Sequence, residues 1–236
     1  MYVSQKSRFY KESATSDVLA ENGYFVIQSV TICDMKFTVG IDEVGRGPLA
    51  GPVAVCAVLI ESDMLKKIFS GVSSLRGVDD SKKLSPTMRE KLYKAALASR
   101  RAGLLDFRVC YSSHEMIDAR GISEAIARAL GRALKGVSAP SDSLVWLDGS
   151  LKAPEKFQNQ KTIIGGDAKI KIISLASVIA KVSRDRLLAK LARKYPRYGF
   201  EIHKGYGTRA HIAAIKSLGP CAIHRRSFLK NILIQK

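Results

Sequence analysis

The chain has 236 residues, 46% of them hydrophobic and 25% charged, with a formal net charge of +18 at pH 7. That length can bury one sizeable core and leaves no room for more than two ordinary domains, and no Pro/Ser/Gln-rich or single-sign block marks a disordered chain. The longest apolar run, Val53 to Ile60, suits a buried strand rather than a membrane span, so no membrane role is expected.

Residues 1–35 hold mixed charges without a clear period, and we expect a loosely attached extension there, with one folded domain over 36–236. Lys6, Arg8, Lys11 and Glu12 interrupt the place where a signal peptide would need its apolar core, which points to the cytoplasm. Strands are predicted at Lys36–Ile41 and Val53–Ile60, separated by the Gly/Pro-rich turn Asp42–Pro52. Helices follow at Met64–Phe69 and, opened by Ser85-Pro86, at Thr87–Arg101. After a strand at Leu104–Cys110 come helical patterns at Glu115–Ala119 and Ile122–Lys135, broken at Gly121. Short strands at Leu144–Leu147 and Thr162–Ile164 precede a long helix, Ile172–Tyr195, and a last one, His211–Leu218, ended by Gly219-Pro220. Intermixed strands and helices predict an α/β domain with a mixed sheet. The four cysteines, Cys33, Cys56, Cys110 and Cys221, contain no CxxC pair and are expected to be reduced and buried.

Charge distribution says more than its total. From Lys181 to Lys236 there are fourteen Lys/Arg against two acids, so the last quarter carries +12 of the +18, and a polyanion is the natural partner.

Acidic residues punctuate the apolar elements. Asp42 and Glu43 follow Thr38–Ile41, and Asp148 follows Leu144–Leu147; carboxylates at strand ends lie at the rim of a core, where α/β sites are built. An acid after a strand also simply starts turns. Asp185 falls on one face of the long helix with Val178, Val182, Ala189 and Ala192, where an unpaired carboxylate is costly; a salt bridge to Lys181 or Arg186 is the other reading. Gathered carboxylates repel by roughly 4 kcal/mol per pair at 4 Å and a dielectric of about 20. Divalent cations remove that cost, and oxygen-only ligands favour Mg²⁺ or Mn²⁺. Acids beside a basic body suit metal-assisted cleavage of a phosphodiester.

The segment Gly40-Ile-Asp-Glu-Val-Gly-Arg-Gly-Pro-Leu-Ala-Gly-Pro52 resembles the signature of the bacterial ribonuclease HII family, among the type 2 ribonucleases H. Asp80–Ser85, Leu147-Asp-Gly149, Ala176–Asp185, His203–Thr208 and His224–Phe228 match in the family's order. The resemblance implies a ribonuclease H-like α/β fold, a mixed sheet flanked by helices, acting as a monomer. It implies cleavage of RNA in RNA/DNA hybrids and 5′ of ribonucleotides embedded in duplex DNA, by a two-metal mechanism giving 3′-hydroxyl and 5′-phosphate ends. Asp42, Glu43, Asp148 and Asp185 are its metal ligands, with Asp167 the rival for the fourth place. Gly45, Arg46 and Gly47 would meet the ribose 2′-hydroxyl, Tyr206 would stack on the neighbouring deoxyribose, and Lys82 and Lys83 would meet phosphates. His203 and His224 read as loop or core residues. A sister enzyme of the ribonuclease HIII type would need a further domain ahead of the catalytic one, and a non-catalytic nucleic-acid binding module would leave the buried acid unexplained.

Overall fold

The computed structural model describes residues 20–21, 24–25 and 35–233. The chain divides into two units, Met1–Asp34 and Met35–Lys236. Within the first, β1 (Ala20–Glu21) and β2 (Tyr24–Phe25) pair antiparallel; Cys33 lies outside the described residues.

In the second unit, β3 (Phe37–Val44) pairs antiparallel with β4 (Val53–Glu61), and β4 with β5 (Asp106–Ser112). On its other side β3 runs parallel to β6 (Leu144–Asp148), which runs parallel to β7 (Gln160–Ile163). The sheet order is β5-β4-β3-β6-β7. β3 is longer than expected: its ladder with β4 continues through Val44↔Ala54, so Asp42 and Glu43 lie inside the strand and not after it.

Side chains alternate across a strand, and the two faces of the sheet are covered by different helices. Val39, Ile41, Val55 and Ala57 join the core shared with α3 (His114–Gly136), including Ile126, Leu130 and Leu134. Along α3, Gly121 leaves the helical path with φ 80 and ψ 163, so the predicted break is present as a kink. The opposite face carries α5 (Lys171–Lys194), whose Ile172 backbone lies against Gly40. Residues Ile172–Ala180 are buried on every side of α5, as expected of a helix laid between a sheet and its neighbours.

α1 (Leu65–Phe69) and α2 (Pro86–Arg101) stand close to their predicted places, and Ser85 caps α2 by accepting from the Met88 N–H at 3.2 Å. α7 (Arg209–Leu218) is capped by Thr208 and stops at Gly219, φ 72; α8 (Lys230–Leu233) follows. Three short helices were not expected, α4 (Gly166–Lys169), α6 (Phe200–His203) and α8. Four residues are too few to display a helical period. Cys56, Cys110 and Cys221 are free; Cys56 is buried and the other two partly so. No helix among the described residues is long and apolar enough to cross a membrane.

Candidate active site

Register places the first two acids together. β3 and β6 run parallel with Ile41 opposite Leu147, so the next pair, Asp42 and Asp148, leaves the sheet on one face. That is the α5 side, where the Ser177 hydroxyl hydrogen-bonds Asp42. The third acid comes from α4. Asp148 Oδ1 accepts from the N–H groups of Gly166 at 2.6 Å and Asp167 at 3.3 Å, capping the N-terminus of α4 and drawing Asp167 in. A Cβ at 166 would come within 2.7 Å of Ile173 Cδ1 and 3.3 Å of Asp148 Oδ1, so any larger residue would have to push the Ile173 side chain aside. Ligand oxygens of Asp42, Asp148 and Asp167 all lie within 4.8 Å of one another, and Asp42 and Asp167 are each 4% exposed.

Glu43 stays outside this trio, yet it is coupled to it. Burial, chiefly, and the nearby Asp148 push its carboxyl up to about 7 against the pull of Arg46 and Lys82. Burial, then Glu43 and Asp148, raise Asp42 well above the usual carboxylate range. Arg46 Nε stands 3.5 Å from one Glu43 oxygen, while the other, Oε2, is buried without a hydrogen-bond partner. Lys82 Nζ lies 2.7 Å from Asp167 Oδ2, a contact that raises the lysine's own pKa. An orphaned buried carboxylate oxygen beside three converging carboxylates fits a hard divalent cation, for which all-oxygen donors are the matching ligands.

Of the two acids weighed for the fourth place, Asp167 is the one whose oxygen lies with those of Asp42 and Asp148. Asp185 is half-buried and accepts from Lys181 Nζ at 3.1 Å, one helical turn away, outside the acidic trio. The same Lys181 ammonium lies 5.9 Å from the centroid of the Tyr206 ring, so Asp185 is joined through Lys181 to the tyrosine rather than to the acids. Tyr206 itself is 39% exposed.

The turn after β3 is held from beneath. Gly45 is buried with φ +92, and a Cβ there would fall 2.2 Å from Arg184 Nε. Its glycine is required by a protein contact, whereas Arg46 and Gly47 are exposed and nothing lies within 4 Å of a Cβ built on Gly47.

The sequence profile of the family described as Ribonuclease HII matches residues 39–231. The chain is similar to the Ribonuclease HII of Caldicellulosiruptor bescii, 42% identical over 214 residues that cover 90% of this chain and 97% of that protein. It is 43% identical to the Ribonuclease HII of Fusobacterium nucleatum over 85% of this chain and 89% of that one. The chain belongs to the ribonuclease HII family.

It is therefore an enzyme, a nuclease of the hydrolase class. Its fold agrees: the crystal structure of ribonuclease H2 from Pyrococcus horikoshii superposes with a TM-score of 0.63 at 29% identity, over 84% of this chain and 97% of that one. The ribonuclease HII family therefore supplies the ribonuclease H-like mixed sheet that the sequence predicted.

Of the predicted substrate residues, Lys82 reaches an acid and Lys83 is exposed in the turn before α2. His224 is core, 1% exposed, and His203 is half-buried. Two residues escaped the sequence reading: Arg184 and Arg225, each fully buried. An arginine normally reads as solvated. The available signal was spacing, since Arg184 shares an i, i+4 stripe with the buried Ala180, Leu188 and Ala192.

Proposed function

We propose that this chain is a divalent-cation-dependent endoribonuclease that hydrolyses the RNA strand of RNA/DNA hybrids. It also incises duplex DNA on the 5′ side of an embedded ribonucleotide, leaving 3′-hydroxyl and 5′-phosphate ends. The observation that carries the proposal is the convergence of Asp42, Asp148 and Asp167, with the unpartnered Glu43 oxygen beside them. These four carboxylates hold Mg²⁺ or Mn²⁺, which supply the Lewis-acid charge that phosphodiester hydrolysis requires.

The remaining tasks fall to the chain's own groups. Arg46 and Gly47, exposed at the turn, meet the ribose: the open Gly47 lets backbone approach a sugar closely, and the 2′-hydroxyl distinguishes RNA from DNA. Tyr206, partly exposed and backed by Lys181, presents a flat ring to the following deoxyribose. Lys82, beside Asp167 with 77% of its side chain exposed, is placed to follow a phosphate near the acids. The test is cleavage of an end-labelled DNA duplex containing one ribonucleotide, with Mg²⁺, with Mn²⁺ and with chelator. A single cut 5′ of the ribonucleotide, lost in chelator, is expected; undiminished cutting in chelator, or equal cutting of an all-DNA duplex, overturns the reading.

A further inference from the structure

A buried guanidinium ordinarily needs an acid, and among the described residues neither Arg184 nor Arg225 makes a salt bridge. Every hydrogen bond each makes goes instead to a backbone carbonyl. Arg225 donates to Gly51 O at 3.0 Å from Nε, to Arg46 O at 2.9 Å and to Gly45 O at 2.6 Å. Arg184 donates to Pro52 O at 2.9 Å from Nε and to Ala50 O at 3.2 Å, and its third bond leaves the turn for Lys204 O at 3.0 Å. Lys204 holds a left-handed backbone, φ 54, a conformation that costs a lysine energy unless its surroundings fix it. Two residues later stands Tyr206. The two loops also share a backbone bond, from Leu49 N to Gly205 O at 2.7 Å.

A guanidinium fork has five N–H donors in fixed relative directions, so three carbonyls bonded to one fork are fixed relative to one another. Lysine could satisfy the charge but not that geometry. We propose that Arg184 and Arg225 are positioning residues that hold the ribose-reading turn, Gly45–Pro52, in shape and, through Arg184, lock it to the Tyr206 loop. The 2′-hydroxyl and the neighbouring deoxyribose are then read by one rigid body. Arg225 fixes the turn alone, and Arg184 ties the turn to the loop. The inference rests on the function proposed above for Arg46, Gly47 and Tyr206, and adds the element that registers them.

The experiment uses the full chain with Arg184→Lys and Arg225→Lys, followed by amide hydrogen exchange, by Mn²⁺ binding in the absence of substrate, and by kcat and KM on two substrates. Arg184→Lys should raise exchange at least tenfold in both 45–52 and 204–208; Arg225→Lys should raise it only in 45–52. Mn²⁺ affinity should stay within twofold, because Asp42, Asp148 and Asp167 are held by other contacts. The kcat of Arg184→Lys on a single embedded ribonucleotide should fall about 100-fold, the scale of a 1 Å misplacement. It should fall less on a long hybrid, where no junction has to be read. Unchanged protection of 204–208 in Arg184→Lys overturns the proposal, as does equal loss on both substrates with Mn²⁺ binding lost in parallel, which marks a merely structural arginine. If Arg184→Lys fails to fold, Arg225→Lys decides: loosening of 204–208 as much as of 45–52 in that variant contradicts the division of labour. A wild-type chain that cuts no ribonucleotide substrate sinks the functional reading, while the exchange pattern still judges the clamp.

Discussion

Asp42 carries a charge that its surroundings oppose, through burial and through the neighbouring Glu43 and Asp148. Asparagine at that position keeps the Oδ1 that accepts from the Glu43 N–H at 2.7 Å and removes the repulsion. Asp42→Asn is therefore expected to stabilise the metal-free protein by roughly 1 kcal/mol, about 2–4 °C in melting temperature for a chain of this size. The same substitution should abolish cutting while duplex affinity survives, since the basic surface supplies binding separately. Asp167→Asn and Asp148→Asn should each cost about a thousandfold or more, because each withdraws a ligand from a centre that contributes several kcal/mol to the barrier. Asp185→Asn should keep most of the activity, its carboxylate being engaged by Lys181. A dead Asp185→Asn beside an active Asp167→Asn would return the fourth ligand to α5.

Among the elements, the loop from α6 to α7 follows a helix too short to be read from sequence. Tyr206 is held there by a histidine chain whose partners assign its protons. His224 Nδ1 accepts from the Cys221 N–H at 3.0 Å, so its Nε2–H donates to His211 Nε2 at 3.1 Å, and His211 Nδ1–H donates to Tyr206 O at 2.9 Å. Both rings must be neutral for that pattern. Burial, followed by His211, lowers His224 from 6.5 to about 4, and burial lowers His211. A folded-state value below the unfolded one means that the unfolded chain binds more protons between pH 6.5 and about 4. The contribution to stability is complete above pH 6.5 and is lost as the pH falls toward 4, amounting to at most roughly 3 kcal/mol at about 1.4 kcal/mol per unit. Melting temperatures across that window should fall with acidity, and His224→Phe, although less stable at pH 7.5, should show a shallower acid slope; parallel slopes would remove the histidine pair from the account. Tyr206→Ala should lose about 10- to 100-fold in cutting at a single ribonucleotide, as stacking worth roughly 1–3 kcal/mol implies, with little change in general duplex affinity. Equal loss of binding on every duplex would make Tyr206 an ordinary backbone contact.

Over the whole molecule, the basic C-terminal quarter has an identifiable surface. Arg193, Lys194 and Arg197 are exposed at the end of α5 and form no ion pair among the described residues. Lys194 and Arg197, with Tyr195 and Tyr198, line a shallow cavity of ≈ 360 Å³. If they follow a duplex backbone, replacing all three with Ser should flatten the plot of log affinity against log salt by up to about three units, near 0.9 per phosphate lost. An unchanged slope would place the duplex path elsewhere.

The sequence by itself determined the family, the mixed sheet and most helices, because apolar period, Ser and Thr caps and Gly/Pro stops are local signals that survive without a partner. It also singled out Asp42, Glu43 and Asp148 from where apolar runs stop, although β3 continues past the first two and places them inside the strand. The fourth acid was different. Asp185 and Asp167 are both plausible along the chain, and only tertiary packing shows which of them stands beside the other acids: α4 starts on the Asp148 carboxylate and brings Asp167 with it, while Asp185 turns to Lys181. The buried half of α5 hid its true facing residues for the same reason, because a helix covered on all sides has no single apolar stripe from which to take the phase. For Arg184 the sequence offered only its place on the stripe of Ala180, Leu188 and Ala192, and neither for it nor for Arg225 did it show the partners. Their acceptors are backbone carbonyls, most of them more than a hundred residues away, and a carbonyl, common to every residue, leaves no mark on the sequence.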